Sequence, residues 1–346
     1  MRYCLLTMKH KKHLKEFMYK SFAPFSRNSI ILQDDYLYPI LEAARSNCYV
    51  ENTGNKADSL QRRIKQTYEE DIVKAYKEVI FPLIKYQRII NPVVAIDITD
   101  ENFYGLFSDL YLHPWTGEEG VKAKYKFAVI SLVKNSKIPL LAVPFHCGMD
   151  KAELIKYLLT TAKKIFKNIA AILLDAGFYS GAVILALEKE RYLIRAPQNS
   201  KIQEFIIDTN KGKWKTFEHE IEWLANKTTN RVKTNIVIVR DVKLRNTIFD
   251  CSYATNIKLS NGMDYVYLYC KRWQIETNFR MEDQVHIKSK SIAHIIRYFY
   301  FMISLLLHAL WLFFYNHKIA FDVFKIQLAN EYLFLQLGIS YTSAFS

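Results

Sequence analysis

Tyr269, Arg272, Glu276 and Arg280 follow one another at three- and four-residue spacing within YCKRWQIETNFRMED, residues 269–283. On a helix that spacing sets all four along one face. A carboxylate between two guanidiniums, with an aromatic ring beside them, suits a divalent cation held against a phosphodiester. The carboxylate offers a hard oxygen ligand and the guanidiniums offer forked donors to phosphate. An exposed helix with ordinary Arg–Glu pairs carries the same residues, so the stripe needs further acids to mean chemistry.

Two such acids lie upstream. Asp97 ends the apolar run 93–96 (VVAI) and Asp175 ends the run 169–174 (IAAILL). Both runs are short and apolar, the pattern of buried strands. A carboxylate at the end of a buried strand is held rigidly at the rim of a sheet, as a cation site requires. Asp100 competes with Asp97 for the first position, and Asp175, followed by Ala176 and Gly177, also reads as a turn or cap residue.

With these pieces assembled, the chain resembles the DDE transposases of the IS4-like group, insertion-sequence enzymes related to the Tn5 transposase. The resemblance is carried by AIDITD around Asp97, DAGFYS around Asp175, and YATNI followed by YCKRWQIETNFR around Glu276, and it covers roughly residues 90–315. The family pattern on the last helix is Tyr, Arg, Glu and Lys; Tyr269, Arg272 and Glu276 match in register, but Asp283 stands where the Lys belongs. Arg280, Lys288 and Lys290 are the cations left to replace it. The resemblance implies an α/β fold: a ribonuclease H-like mixed sheet with helices on both faces and a β-rich insertion, about 198–260, before the last catalytic helix. It further implies that Asp97, Asp175 and Glu276 hold two Mg²⁺ or Mn²⁺ ions for water attack on DNA and then 3′-hydroxyl attack on a target, with no covalent enzyme intermediate. Tyr269, Arg272 and Arg280 would then face DNA, and Trp214 or Trp223 would hold a flipped base, unless each indole simply packs. The implied partners are double-stranded DNA, as terminal inverted repeats and target, and a second copy of the chain, with a DNA-hairpin intermediate. A catalytically inactive DNA-binding relic and a nuclease of the same fold without strand transfer are the alternatives.

Composition agrees. The chain has 346 residues, a formal net charge of +14, 50% hydrophobic residues and only 10 glycines. The positive excess favours a polyanion partner, and there is no GxGxxG or P-loop for a nucleotide cofactor. Five scattered cysteines without a CxxC pair argue against a zinc site or disulfide framework and for a reduced, intracellular setting, and the resemblance implies a cytoplasmic, nucleoid-associated protein. The N-terminus lacks the pattern of a secretory signal.

Residues 1–90 read as a helical, basic region with apolar residues at helical spacing across 57–90; Lys11, Lys12, Lys15, Arg62, Arg63 and Lys65 fit either a DNA contact or a solvated face, the commoner fate of a charge run. A catalytic region, 91–315, follows. Its pattern predicts a hairpin from 124–133 and 138–145 turning at Asn135–Ser136, a helix over 150–166, the strand ending at Asp175, a helix over 180–190 and a strand over 192–195. In the implied fold the first and fourth strands are neighbours. Residues 298–315 are nearly all apolar and reach membrane-spanning length; they are expected to form a buried core helix and not a membrane span. Residues 316–346 are expected to form a helical tail that contacts a second copy.

Overall fold

The computed structural model describes residues 2–22, 33–54, 56–106, 109–133, 138–225, 227–244, 246–273, 287–315 and 318–336. Four helices open the chain: α1 (Arg2–Ser21), α2 (Gln33–Ser46), α3 (Lys56–Ile64) and α4 (Glu69–Tyr86). Then come β1 (Val93–Phe103), β2 (Leu112–Pro114), β3 (Ala123–Leu132), β4 (Pro139–Pro144), α5 (Lys151–Lys163), β5 (Ala171–Leu174), α6 (Gly181–Ala186) and β6 (Tyr192–Arg195). Helix α7 (Ser200–Ile207) leads to β7 (Trp214–Ala225), β8 (Thr228–Leu244) and β9 (Thr247–Thr255), followed by α8 (Gly262–Cys270), α9 (His294–Tyr315) and α10 (Phe321–Gln336).

The fold is mixed α/β, with a mostly antiparallel sheet flanked by helices. Among the described residues the sheet runs β2-β3-β1-β5-β6-β9-β8-β7, with β4 also on β3. Among the described strands, β1–β5 and β5–β6 pair in parallel and the rest antiparallel. The parallel-paired segments 93–96, 171–174 and 192–194 are apolar because both faces are covered. Side-chain alternation sorts them: Val93, Ala95, Leu173 and Leu193 pack in one cluster with Tyr265, Val266 and Tyr269 of α8. Val94, Ile96, Ile172, Leu174 and Ile194 face a larger cluster shared with α4, α5 and α9. That larger cluster also takes in Phe17, Ile40 and Leu60, so the N-terminal helices are packed into the same core as the sheet.

Several expectations are revised. Strand β1 does not stop at Asp97 but runs on to Phe103, because β3 continues to pair with it after β5 has ended. The periodic stretch 57–90 is two helices, broken where Thr67 Oγ1 donates back to the Arg63 carbonyl and Tyr68 turns extended. Glu69, Glu70 and Asp71 then favour a new helix N-terminus. Helix α6 is shorter than 180–190, and the strand-rich segment 198–260 is continuous with the main sheet, since β9 pairs with β6. The turn at Asn135–Ser136 lies outside the described residues. Helix α9 is long and apolar enough to cross a membrane, yet 94% of its most apolar window is buried inside the protein, where Phe299 stacks on Phe22 and Trp311 donates to the Ile319 carbonyl.

Candidate functional site

The parallel register aligns three residues across the centre of the sheet. Ile96 is opposite Leu174, and Leu174 is opposite Ile194. The next residue on each strand is ionisable: Asp97, Asp175 and Arg195. Each shares parity with the residues that face α8, so all three lie on that side at the carboxyl ends of parallel strands, where open α/β sheets characteristically bind ligands. Asp100 is three residues further along β1, about 10 Å away, and its carboxylate lies 3.4 Å from Lys124 Nζ. Of the two candidates, Asp97 is the one beside Asp175.

Helix α8 delivers the second half of the site. Asn261 caps it by accepting from the Met263 N–H, and Tyr265, Val266 and Tyr269 anchor it on the sheet. Just past its end, Arg272 Nη1 donates to Asp97 Oδ2 at 2.8 Å while its Nε donates to the Tyr269 hydroxyl at 3.1 Å. Asp97 Oδ1 accepts from the Ile98 N–H at 2.9 Å. All three side chains are buried, Arg272 at 8% exposure and Asp97 at 9%. Burial pushes the Tyr269 phenol up to about 12, although Arg272 pulls the other way, so it remains an O–H. Arg272 and Tyr269, expected on DNA, therefore face inward onto an acid. Arg272 lies in the turn just past α8, and its guanidinium folds back onto the Tyr269 hydroxyl against the sheet.

Asp175 is placed differently. Its backbone is still extended (φ −78°, ψ 177°), and its side chain makes no capping hydrogen bond to the short three-ten turn 176–178 that follows. Oδ1 is buried without a hydrogen-bond partner among the described residues. Lys151, the first residue of α5, donates to the Gly177 carbonyl and ties this loop to the helix.

The remaining expected site residues are scattered. Glu276, Arg280 and Asp283 lie outside the described residues. Lys288 and Lys290 belong to a segment docked on the turn at 50–52: the Val50 N–H donates to the Lys288 carbonyl and Lys290 Nζ reaches Asn52 Oδ1. Trp223 lies against Gly181, where an added Cβ would be 2.0 Å from the ring, and Trp214 lies against Gly262, where an added Cβ would be 2.6 Å from its Cβ and Cγ. Both indoles meet glycines at helix N-termini, and Trp214 keeps 39% of its surface exposed. Arg195 has the same local signal as the two acids but with the opposite charge, YLIR being a short apolar run that ends on a cation.

Hard carboxylate oxygens, one of them buried and unpartnered, fit a divalent cation. Among the described residues, however, no group of three or more His, Cys, Asp or Glu comes together as a metal site. The two acids are a partial site that needs a further oxygen ligand.

Residues 114–311 match the family described as "Transposase DDE domain", more than half of the chain. The match takes in Asp175, Tyr269, Arg272 and Glu276 and begins after Asp97. No curated protein matches the chain. The cryo-EM structure of the piggyBac transposase synaptic complex with hairpin DNA is similar at a TM-score of 0.50 and 8% identity, covering 95% of this chain and 70% of that one. At that identity the likeness is one of fold.

Proposed function

The chain belongs to the transposase DDE-domain family, and from that premise we propose that it is the transposase of an IS4-like insertion sequence, cutting DNA at the element's terminal inverted repeats and joining the ends to a target. The observation that carries this is the side-by-side placement of Asp97 and Asp175, with Arg272 reaching across from the Tyr269 segment to Asp97. The order β4-β3-β1-β5-β6, antiparallel then parallel, supports a ribonuclease H-like reading of the central sheet.

In this reading Asp97, Asp175 and Glu276 are the ligands of Mg²⁺ or Mn²⁺, Glu276 supplying the oxygen that the described residues lack. A divalent cation there would activate the attacking water or 3′-hydroxyl and stabilise the leaving oxygen. The chain's own contribution is positional. The stiff strands β1 and β5 fix the carboxylates, Tyr269 and the α8 anchor fix Arg272, and Arg195 lends positive charge for a phosphate. No side-chain nucleophile is needed, so protons move only from water or a DNA hydroxyl. Two copies of the chain would hold the two ends together.

The test uses a plasmid carrying the DNA that flanks the gene, with Mg²⁺, Mn²⁺ or EDTA. Cleavage at the repeats followed by joining is expected with metal and not with EDTA. Glu276→Ala should abolish cleavage while binding to repeat DNA stays within about threefold of wild type, since a lost ligand removes transition-state stabilisation. Wild-type cleavage by that variant would remove Glu276 from the site, and cutting without joining would make the protein a nuclease.

A further inference from the structure

Asp97 and Asp175 sit on adjacent strands about 4.8 Å apart, facing the same side, yet their surroundings are unequal. Asp97 has a guanidinium on Oδ2 and a backbone N–H on Oδ1. Asp175 has a buried Oδ1 that no described group satisfies. The positive charge that two neighbouring carboxylates require is thus concentrated on one of them, and the open oxygen is on the other.

We infer that Arg272 is a counter-ion that competes with a divalent cation for Asp97: its guanidinium holds Oδ2 at 2.8 Å and must yield that carboxylate when a cation binds Asp175 and Asp97 together. This rests on reading the two acids as cation ligands. A cation entering at the open Asp175 oxygen competes with the guanidinium for Asp97, since both seek the same lone pairs in a buried, weakly screened place. Arg272 is held at a second point, through Nε on the Tyr269 hydroxyl, and Tyr269 is itself anchored at 2% exposure. The guanidinium therefore pivots and stays at the rim, released toward an anionic phosphate at the moment the site becomes competent. Arg272 is in this sense a positioning residue that couples cation loading to phosphate binding. A purely structural ion pair would have the opposite signature, because removing it would loosen the site and weaken cation binding.

The experiment is Mn²⁺ titration of the full chain without DNA, after EDTA treatment, followed by the paramagnetic resonance signal of free Mn²⁺. Arg272→Gln keeps a hydrogen-bond donor but removes the charge; Arg272→Lys keeps the charge. Arg272→Gln is expected to bind Mn²⁺ about tenfold tighter than wild type, and Arg272→Lys to remain within about threefold of it. Melting curves in EDTA and in Mn²⁺ report the same ordering as a larger Mn²⁺-induced rise for Arg272→Gln, which keeps the comparison valid if that variant is less stable. Equal or weaker Mn²⁺ binding by Arg272→Gln overturns the counter-ion role. Asp175→Asn separates this from the underlying reading. If it leaves Mn²⁺ binding intact, the acids are not the cation site at all. If it abolishes binding while Arg272→Gln matches wild type, the site stands and only the counter-ion role fails.

Discussion

Trp223 and Gly181 set how closely the β7–β8 ribbon approaches α6, because the indole occupies the space where any other residue would carry its Cβ. A methyl group there would overlap the ring, so one element must move. Gly181→Ala is expected to destabilise the protein by about 1–3 kcal/mol, the usual range for overpacking. Trp223→Ala should absorb most of that penalty, so the double variant is more stable than the sum of the singles predicts. Strict additivity in thermal or chemical melts would show that the two do not touch. This contact also explains what the sequence leaves unread. A tryptophan in a strand-rich segment is equally compatible with stacking on a base and with packing on a glycine 42 positions away, and nothing local separates them. The acids were more legible, because a carboxylate ending an apolar run is a local signal. Choosing Asp97 over Asp100 needed the register with Leu174, which is not local. Arg272 was found by its spacing, but its partner lies 175 positions away in the sequence, and only the folded sheet shows it.

At the scale of elements, hydrophobic patterning located the strands and long helices, while boundaries depended on neighbours. Strand β1 outruns its apolar stretch because β3 supplies a ladder for residues 97–103 whatever their polarity. The break between α3 and α4 leads into a polar connection to the rest of the fold. Glu69 opens α4, and its carboxylate accepts from His294 Nε2, the first residue of α9, at 3.1 Å. His294 stacks on Tyr111, just before β2, at 3.7 Å. Burial acts to raise the Glu69 pKa, but hydrogen bonds from His294 and Tyr111 outweigh it and hold the group below its ordinary 4.5. A depressed carboxylate contributes stability that is fully present above the unfolded value and is lost as pH falls through the folded one. Glu69→Gln should therefore melt below wild type near neutrality, with the gap closing as pH drops from 4.5 downward. A gap that is constant with pH would mean that Glu69 acts only by packing.

The whole molecule carries +14, and part of that charge is gathered far from the acids. An open groove of about 550 Å³ lies where α1, α4 and the end of α5 meet, and Lys74, Lys77, Lys85 and Lys164 line it. Lys20, also there, is neutralised by Glu16 and Glu78, but none of the other four is within ion-pairing distance of a carboxylate among the described residues. Burial first, and the charge of Lys164 second, lower the Lys77 pKa, a strain that an anion between them would relieve. Helix α5 fixes the distance: Lys151 at its start is bound to the Asp175 loop, Lys164 caps its far end, and 13 residues of helix span about 20 Å. For a duplex that starts at the acids and follows α5 to Lys164, that span is roughly six base pairs, at about 3.4 Å each. Removing one lysine from a phosphate should flatten the plot of log affinity against log salt by about 0.9. Replacing Lys74, Lys77 and Lys164 together with Gln should therefore make the slope shallower by about 2–3 on repeat-end duplexes that extend past the groove, and leave it unchanged on duplexes too short to arrive. An unchanged slope on the long duplexes would place the DNA elsewhere, while a change on both would mean that these lysines act through general attraction and not by touching the backbone.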